Sequence, residues 1–165
     1  MATGLFGYMF IEGEKQGKIE GSCEREEVKG AIQVLQMEHD VTVNYDKFNR
    51  MAKSESQHDA IKLCKEWDKS SPKLAKALFK GEHLKKVEIK WFRTDRQGKY
   101  AHFYTHLMED AHIVAINTRL HNVNDPQKLD VPAHMEEVAI AYGKMVWTWV
   151  DGNIEATYKY NTPNV

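Results

Sequence analysis

Two stretches of this chain are apolar at consecutive positions, and that narrows what it can fold into more than any other feature. In Ala111–Leu120, one face of a strand carries Ala111, Ile113 and Ala115, and the other carries Val114, Ile116 and Leu120. In Val138–Val150, Val138, Ile140, Tyr142, Val146 and Val150 oppose Ala139, Ala141, Met145, Trp147 and Trp149. An antiparallel sheet with one wetted face alternates apolar and polar residues, so these strands call for cover on both sides. A core covers one side; a helix, a loop or another copy of the chain must cover the other. Tyr and Trp on an outer face favour an interface, because monomers rarely expose contiguous apolar patches.

Most of the remaining chain also reads as strand. Leu5–Glu12 is apolar and ends at Gly13, and Ala31–Glu38 alternates. Val87, Ile89 and Trp91 alternate with Lys86, Glu88 and Lys90, and Asp95–Gly98 turns the chain into Lys99–Met108. Met135–Val150 and Ile154–Tyr160 complete the set. Residues 39–58 are polar and poorly periodic, a long loop with room for one short strand. One helix is expected at Ser71–Lys80: Ser70 or Ser71 to cap it, Pro72 in its first turn, Gly81 just past its end. Leu74, Ala75, Leu78 and Phe79 would share its buried face, and Lys69, Lys73, Lys76 and Lys80 a solvated one, with a phosphate-binding role as the alternative. The expected fold is mainly β: a small antiparallel β-barrel of two packed sheets, with one flanking α-helix and an extended loop at His39–His58. With 165 residues and no linker or repeat, residues 1–165 read as a single domain.

The chemistry-bearing residues form no recognisable reaction centre. His102 and His106 share a strand face but lie roughly 13 Å apart at 3.3 Å per residue, too far for one metal ion. Glu136 and Glu137 fall on opposite faces, so they cannot act as a pair. Cys23 and Cys64 match no metal-ligand spacing and read as reduced thiols. No catalytic residue, metal or cofactor is assigned, and the chain is not expected to be an enzyme. A formal net charge of −1 argues against a nucleic-acid partner. No window is apolar enough to span a bilayer, so membrane insertion is not expected. The start lacks the basic residue and long apolar run of a cleaved signal peptide. Charge is uneven: residues 53–99 hold 13 basic and 7 acidic side chains. Copies could therefore meet head to tail with opposite potentials, or the charges could intersperse on one surface.

Several segments in order carry a resemblance. DKSSPKLAKALFKGE (68–82), VEIKWFRTDRQGKYAHFYTHLMEDAHIVAIN (87–117) and EEVAIAYGKMVWTW (136–149) resemble the haemolysin-coregulated protein (Hcp) family, the tube subunits of bacterial type VI secretion systems. The opening MFIEGEKQGKIEG resembles the family's first two strands. The resemblance implies a homohexameric ring, rings stacked into a tube, and sheath and spike proteins as partners. It also implies small effectors in the lumen, and assembly in the cytoplasm followed by secretion without a cleaved leader. The 39–58 loop lacks the glycines common there in the family and carries Tyr45, Phe48 and Met51. With Tyr142, Trp147 and Trp149 these are the expected ring and stacking contacts. The chain ends about five residues past its last expected strand, so no C-terminal effector extension is expected. Two rival readings are a monomeric lipocalin-like barrel with a pocket lined by Trp91, Phe103 and Trp147, and a metal-assisted hydrolase using the histidines.

Overall fold

The computed structural model describes residues 5–160. The strands are β1 (Gly7–Gly13), β2 (Gly17–Ile19), β3 (Ile32–Val34), β4 (Gln36–Glu38), β5 (Val41–Thr42), β6 (Gln57–His58), β7 (Ile61–Glu66), β8 (Leu84–Thr94), β9 (Tyr100–Leu120), β10 (His134–Trp149) and β11 (Ile154–Lys159). The helix, α1, spans Ser71–Lys80, as its sequence signals require. Mainly β with one flanking helix is therefore the fold class.

There are two sheets among the described residues, a large one and the small pair β5-β6, and the large one is not closed as a barrel. Nine strands form one antiparallel sheet in the order β2-β1-β8-β9-β10-β7-β4, with β11 added to β10 and β3 to β1. The ladder does not close continuously. Instead the run from Ile32 to Glu38 pairs first with β1 and then with β7, joining the two ends of the sheet through one chain segment. Leu35 interrupts that run and donates its amide to the Cys64 carbonyl at 2.8 Å. One long strand explains the difference. Lys99–Met108 and Ala111–Leu120 are one strand of 21 residues, and strands that long twist and bend around a core instead of lying in one flat layer.

Irregularities also change which faces are apolar. Val114 is an extra residue between the pairs Ile113–Ile140 and Ala115–Ala139, so the phase of β9 flips there. Ala111 and Ile113 point into the core before the bulge, and Ile116 packs against it afterwards. A second flip crosses three strands. Leu84 and Val87, Met108 and Ala111, and Tyr142 and Met145 all face inward although each pair is three residues apart. Asp110 takes a positive φ of 53° at this line, opposite Gly143, where a Cβ would come within 2.9 Å of the Asp110 Cβ. One inward face thus collects residues that strict alternation assigns to opposite faces.

The core comprises Met9, Ile11, Ile32, Leu63, Ile89 and Met145 among others, and α1 contributes Leu74 and Ala77. Phe79, expected on the buried face, is 72% exposed, and Ala77 takes its place. The helix starts differently too. Neither Ser70 nor Ser71 caps it: Asp68 accepts the Ser70 amide at 2.9 Å, and the Ser71 hydroxyl donates to Glu136 at 2.8 Å. The C-terminal end follows expectation, with Gly81 at φ 61°.

Close packing at Gly21 makes a testable point. A Cβ there would sit 2.5 Å from the Ala31 carbonyl oxygen and 2.7 Å from the Ile32 Cα, both backbone atoms that cannot rotate away. Gly21→Ala should destabilise the fold by about 1–3 kcal/mol in urea titration. An unchanged midpoint would mean that the Gly21 and β3 backbones are not in contact.

Candidate assembly surfaces

The 39–58 segment is more ordered than its composition suggests. β5 pairs with β6, a further bridge joins Tyr45 to Ala52, and the excursion is an irregular hairpin. At its tip the Asp46 carboxylate accepts the Phe48 and Asn49 amides at 2.8 and 3.3 Å. The Asp46 amide donates to the Met51 carbonyl, and Arg50 adopts φ 63° to close the turn. The turn holds Phe48 outward, 99% exposed, with Tyr45 and Met51 exposed beside it.

The base of this hairpin is fastened by aromatic and imidazole groups. The Tyr142 hydroxyl lies 2.7 Å from His39 Nε2 and 2.6 Å from His58 Nδ1, so it donates to one ring and accepts from the other. His58 stacks on Tyr158 at 3.6 Å, and His39 lies over Trp147. Burial pushes the His39 pKa down, with the neighbouring His58 adding to the effect, and burial lowers His58 as well. The Tyr142 hydroxyl is pushed up, chiefly by burial, and stays neutral.

The six expected contact residues therefore divide. Tyr45, Phe48 and Met51 stand free on the hairpin, and Trp149, the last residue of β10, is 36% exposed. Tyr142 and Trp147, placed by alternation on opposite faces of β10, both pack against the core because the phase flips at Gly143. They hold the hairpin's root. Further apolar side chains face outward at Val114, Leu120 and Ile154.

The residues of the rival pocket do not converge. Trp91 and Trp147 pack against the core, and the Trp91 indole donates to His106 Nδ1 at 2.9 Å. Phe103 falls in a register shift between the pairs Trp91–Tyr104 and Phe92–His102, and instead meets Trp149 edge-on under the Arg93 guanidinium. Among the described residues, no three His, Cys, Asp or Glu side chains gather as metal ligands, and no helix is long and apolar enough to cross a membrane. Cys64 is half-buried beside Glu137, and burial followed by that carboxylate pushes its thiol pKa up, away from reactivity.

Two features escaped the sequence reading. The first is a buried ion pair: Lys65, 1% exposed, reaches Glu136, 5% exposed, at 2.5 Å, and Asp68 at 3.1 Å. Its signal was present, since Lys65 continues the inward phase of Ile61 and Leu63. The second is a cavity of about 210 Å³ beside Trp67, built from Ser22, Cys23, Gln33, Leu35 and Glu66. Residues from three separate segments form it, and no local pattern announces such a site.

Fold and surface together define a mainly β protein whose most distinctive exterior feature is an ordered, aromatic-tipped hairpin. The family model described as "Type VI secretion system effector, Hcp" matches residues 8–149, and the chain belongs to that family. The "Major exported protein" of Pseudomonas aeruginosa is 36% identical over 150 residues, covering 86% of this chain and 87% of that protein. A crystal structure of an Hcp protein has a TM-score of 0.88 at 27% identity, covering 96% of this chain and 99% of the other. The secreted protein Hcp3 of Pseudomonas aeruginosa gives 0.77 at 30% identity, with 96% and 99% covered.

Proposed function

We propose that this chain is a structural subunit of a type VI secretion tube: six copies form a ring, rings stack, and the lumen carries small effectors. The observation that carries the stacking part is Phe48, an aromatic ring with almost no contact to its own chain, held outward by a hydrogen-bonded turn. A hydrogen-bonded turn that presents a large apolar side chain to water lowers the ordering cost of binding a partner. Val114, Leu120 and Ile154 offer further apolar contacts within a ring. Family membership and the exported relative support sheath, spike and effector partners and export of the assembled protein. The subunit acts by association and performs no bond chemistry of its own.

Size-exclusion chromatography with light scattering tests the reading. The expected mass is that of six copies, and electron micrographs should show rings with a central hole. Ring contacts are the more apolar and should survive high salt, whereas stacking contacts, which set the basic side chains Lys47, Arg50 and Lys53 beside Phe48, should weaken. A stable monomer at micromolar concentration overturns the proposal.

A further inference from the structure

We propose that the cavity beside Trp67 receives the Phe48 ring of a second copy, and that this contact joins one ring to the next. The inference rests on the stacking reading above and names the receiving site.

Three observations meet here. The first is size. The cavity measures about 210 Å³ and has Leu35, Cys23 and the Trp67 indole among its walls. A cavity of roughly 150 Å³ already accommodates benzene, so a phenyl ring fits by volume.

The second is position. The hairpin leaves the sheet at β6, before the start of β7, whereas Glu66 and Trp67 lie at the far end of β7. Six residues of strand separate the two by roughly 20 Å. Donor and receiver therefore sit at different levels along one strand. Such a pair cannot satisfy itself within one copy and repeats in one direction, which is the head-to-tail geometry of a filament.

The third is charge. The tip, residues 46–53, carries Lys47, Arg50 and Lys53 against the single carboxylate of Asp46, which lies 3.5 Å from Lys53. At the cavity, Lys65 already occupies Asp68, but Glu66 has no cation within 4 Å among the described residues. A basic tip entering beside that carboxylate gains an ion pair and steering at long range.

The native thiol of Cys23 supplies the test, since it lines the cavity that the ring would fill. The full chain is treated with a small maleimide as separate rings and as stacks, and alkylation of Cys23 is followed by peptide mass spectrometry. Stacking should slow alkylation of Cys23 at least tenfold. In parallel, Glu66→Arg should raise the concentration needed for stacking at least tenfold without changing ring mass, and Lys47→Glu with Arg50→Glu in the same chain should restore it. Stacks in which Cys23 reacts as fast as in separate rings overturn the cavity contact and leave stacking intact. Protection already complete in separate rings overturns it as well, and so does normal stacking by Glu66→Arg. Failure of the unmodified chain to stack at any concentration removes the stacking reading itself.

Discussion

Replacing Lys65 with methionine is expected to cost about 3–5 kcal/mol of folding stability, read as a lowered urea midpoint. Lys65 on β7 lies opposite Glu136 on β10, and its ammonium also reaches Asp68, the Ser71 hydroxyl and the Glu66 carbonyl. Methionine conserves the length of the stem but leaves two carboxylates, one of them 5% exposed, without their cation. That is the costly way to break a buried pair, because the desolvation of the remaining charge is no longer offset. Glu136→Gln should cost less, since Asp68 still faces the ammonium and the amide can still meet Ser71. The ordering of the two variants is the sharper test. A Lys65→Met protein within about 1 kcal/mol of the parent, or one more stable than Glu136→Gln, would show that the network is not a closed buried set. The network also joins the start of α1 to the sheet, so its loss should loosen the helix first.

Acid should weaken the fold well before the bulk of the carboxylates titrate. Burial lowers the His106 pKa to about 4, with the charge of His39 a smaller contribution. Its Nδ1 accepts the Trp91 indole N–H, which an imidazolium could not do. The unfolded chain takes up this proton near pH 6.5 and the folded chain only near 4, so stability falls as pH drops between those values. The stabilisation is fully present above pH 6.5. His106 alone accounts for a loss of about 2 kcal/mol between pH 7.5 and 5. The lowered pKa values of His39 and His58 act in the same direction and loosen the hairpin's root. Urea midpoints across that range should show the slope, and His106→Gln, whose amide oxygen can accept from Trp91, should flatten it. A flat profile in the parent protein would mean that His106 is solvated.

These two expectations rest on residues that the sequence treats very differently. Lys65 was legible in principle, because it sits where Ile61 and Leu63 demand an inward side chain. Its partner was not, because Glu136 comes from a strand 71 residues away. For His106 the sequence shows only that it shares a strand face with His102. Only the packing of Trp91 against it reveals a buried, neutral imidazole.

The helix, its C-terminal end, the Asp95–Gly98 turn and most strands were set by local chemistry: Pro and Gly preferences, and alternation at period two. Those signals act over a few residues, so a single sequence carries them. Two bulged lines and the joining segment Ile32–Glu38 decided the rest. A bulge inserts one residue and exchanges the faces beyond it, so where β9 and β10 switch sides depends on partners far along the chain. The same long-range pairing put Tyr142 and Trp147 under the hairpin, left Phe48 outside, and assembled the cavity beside Trp67 from separate segments.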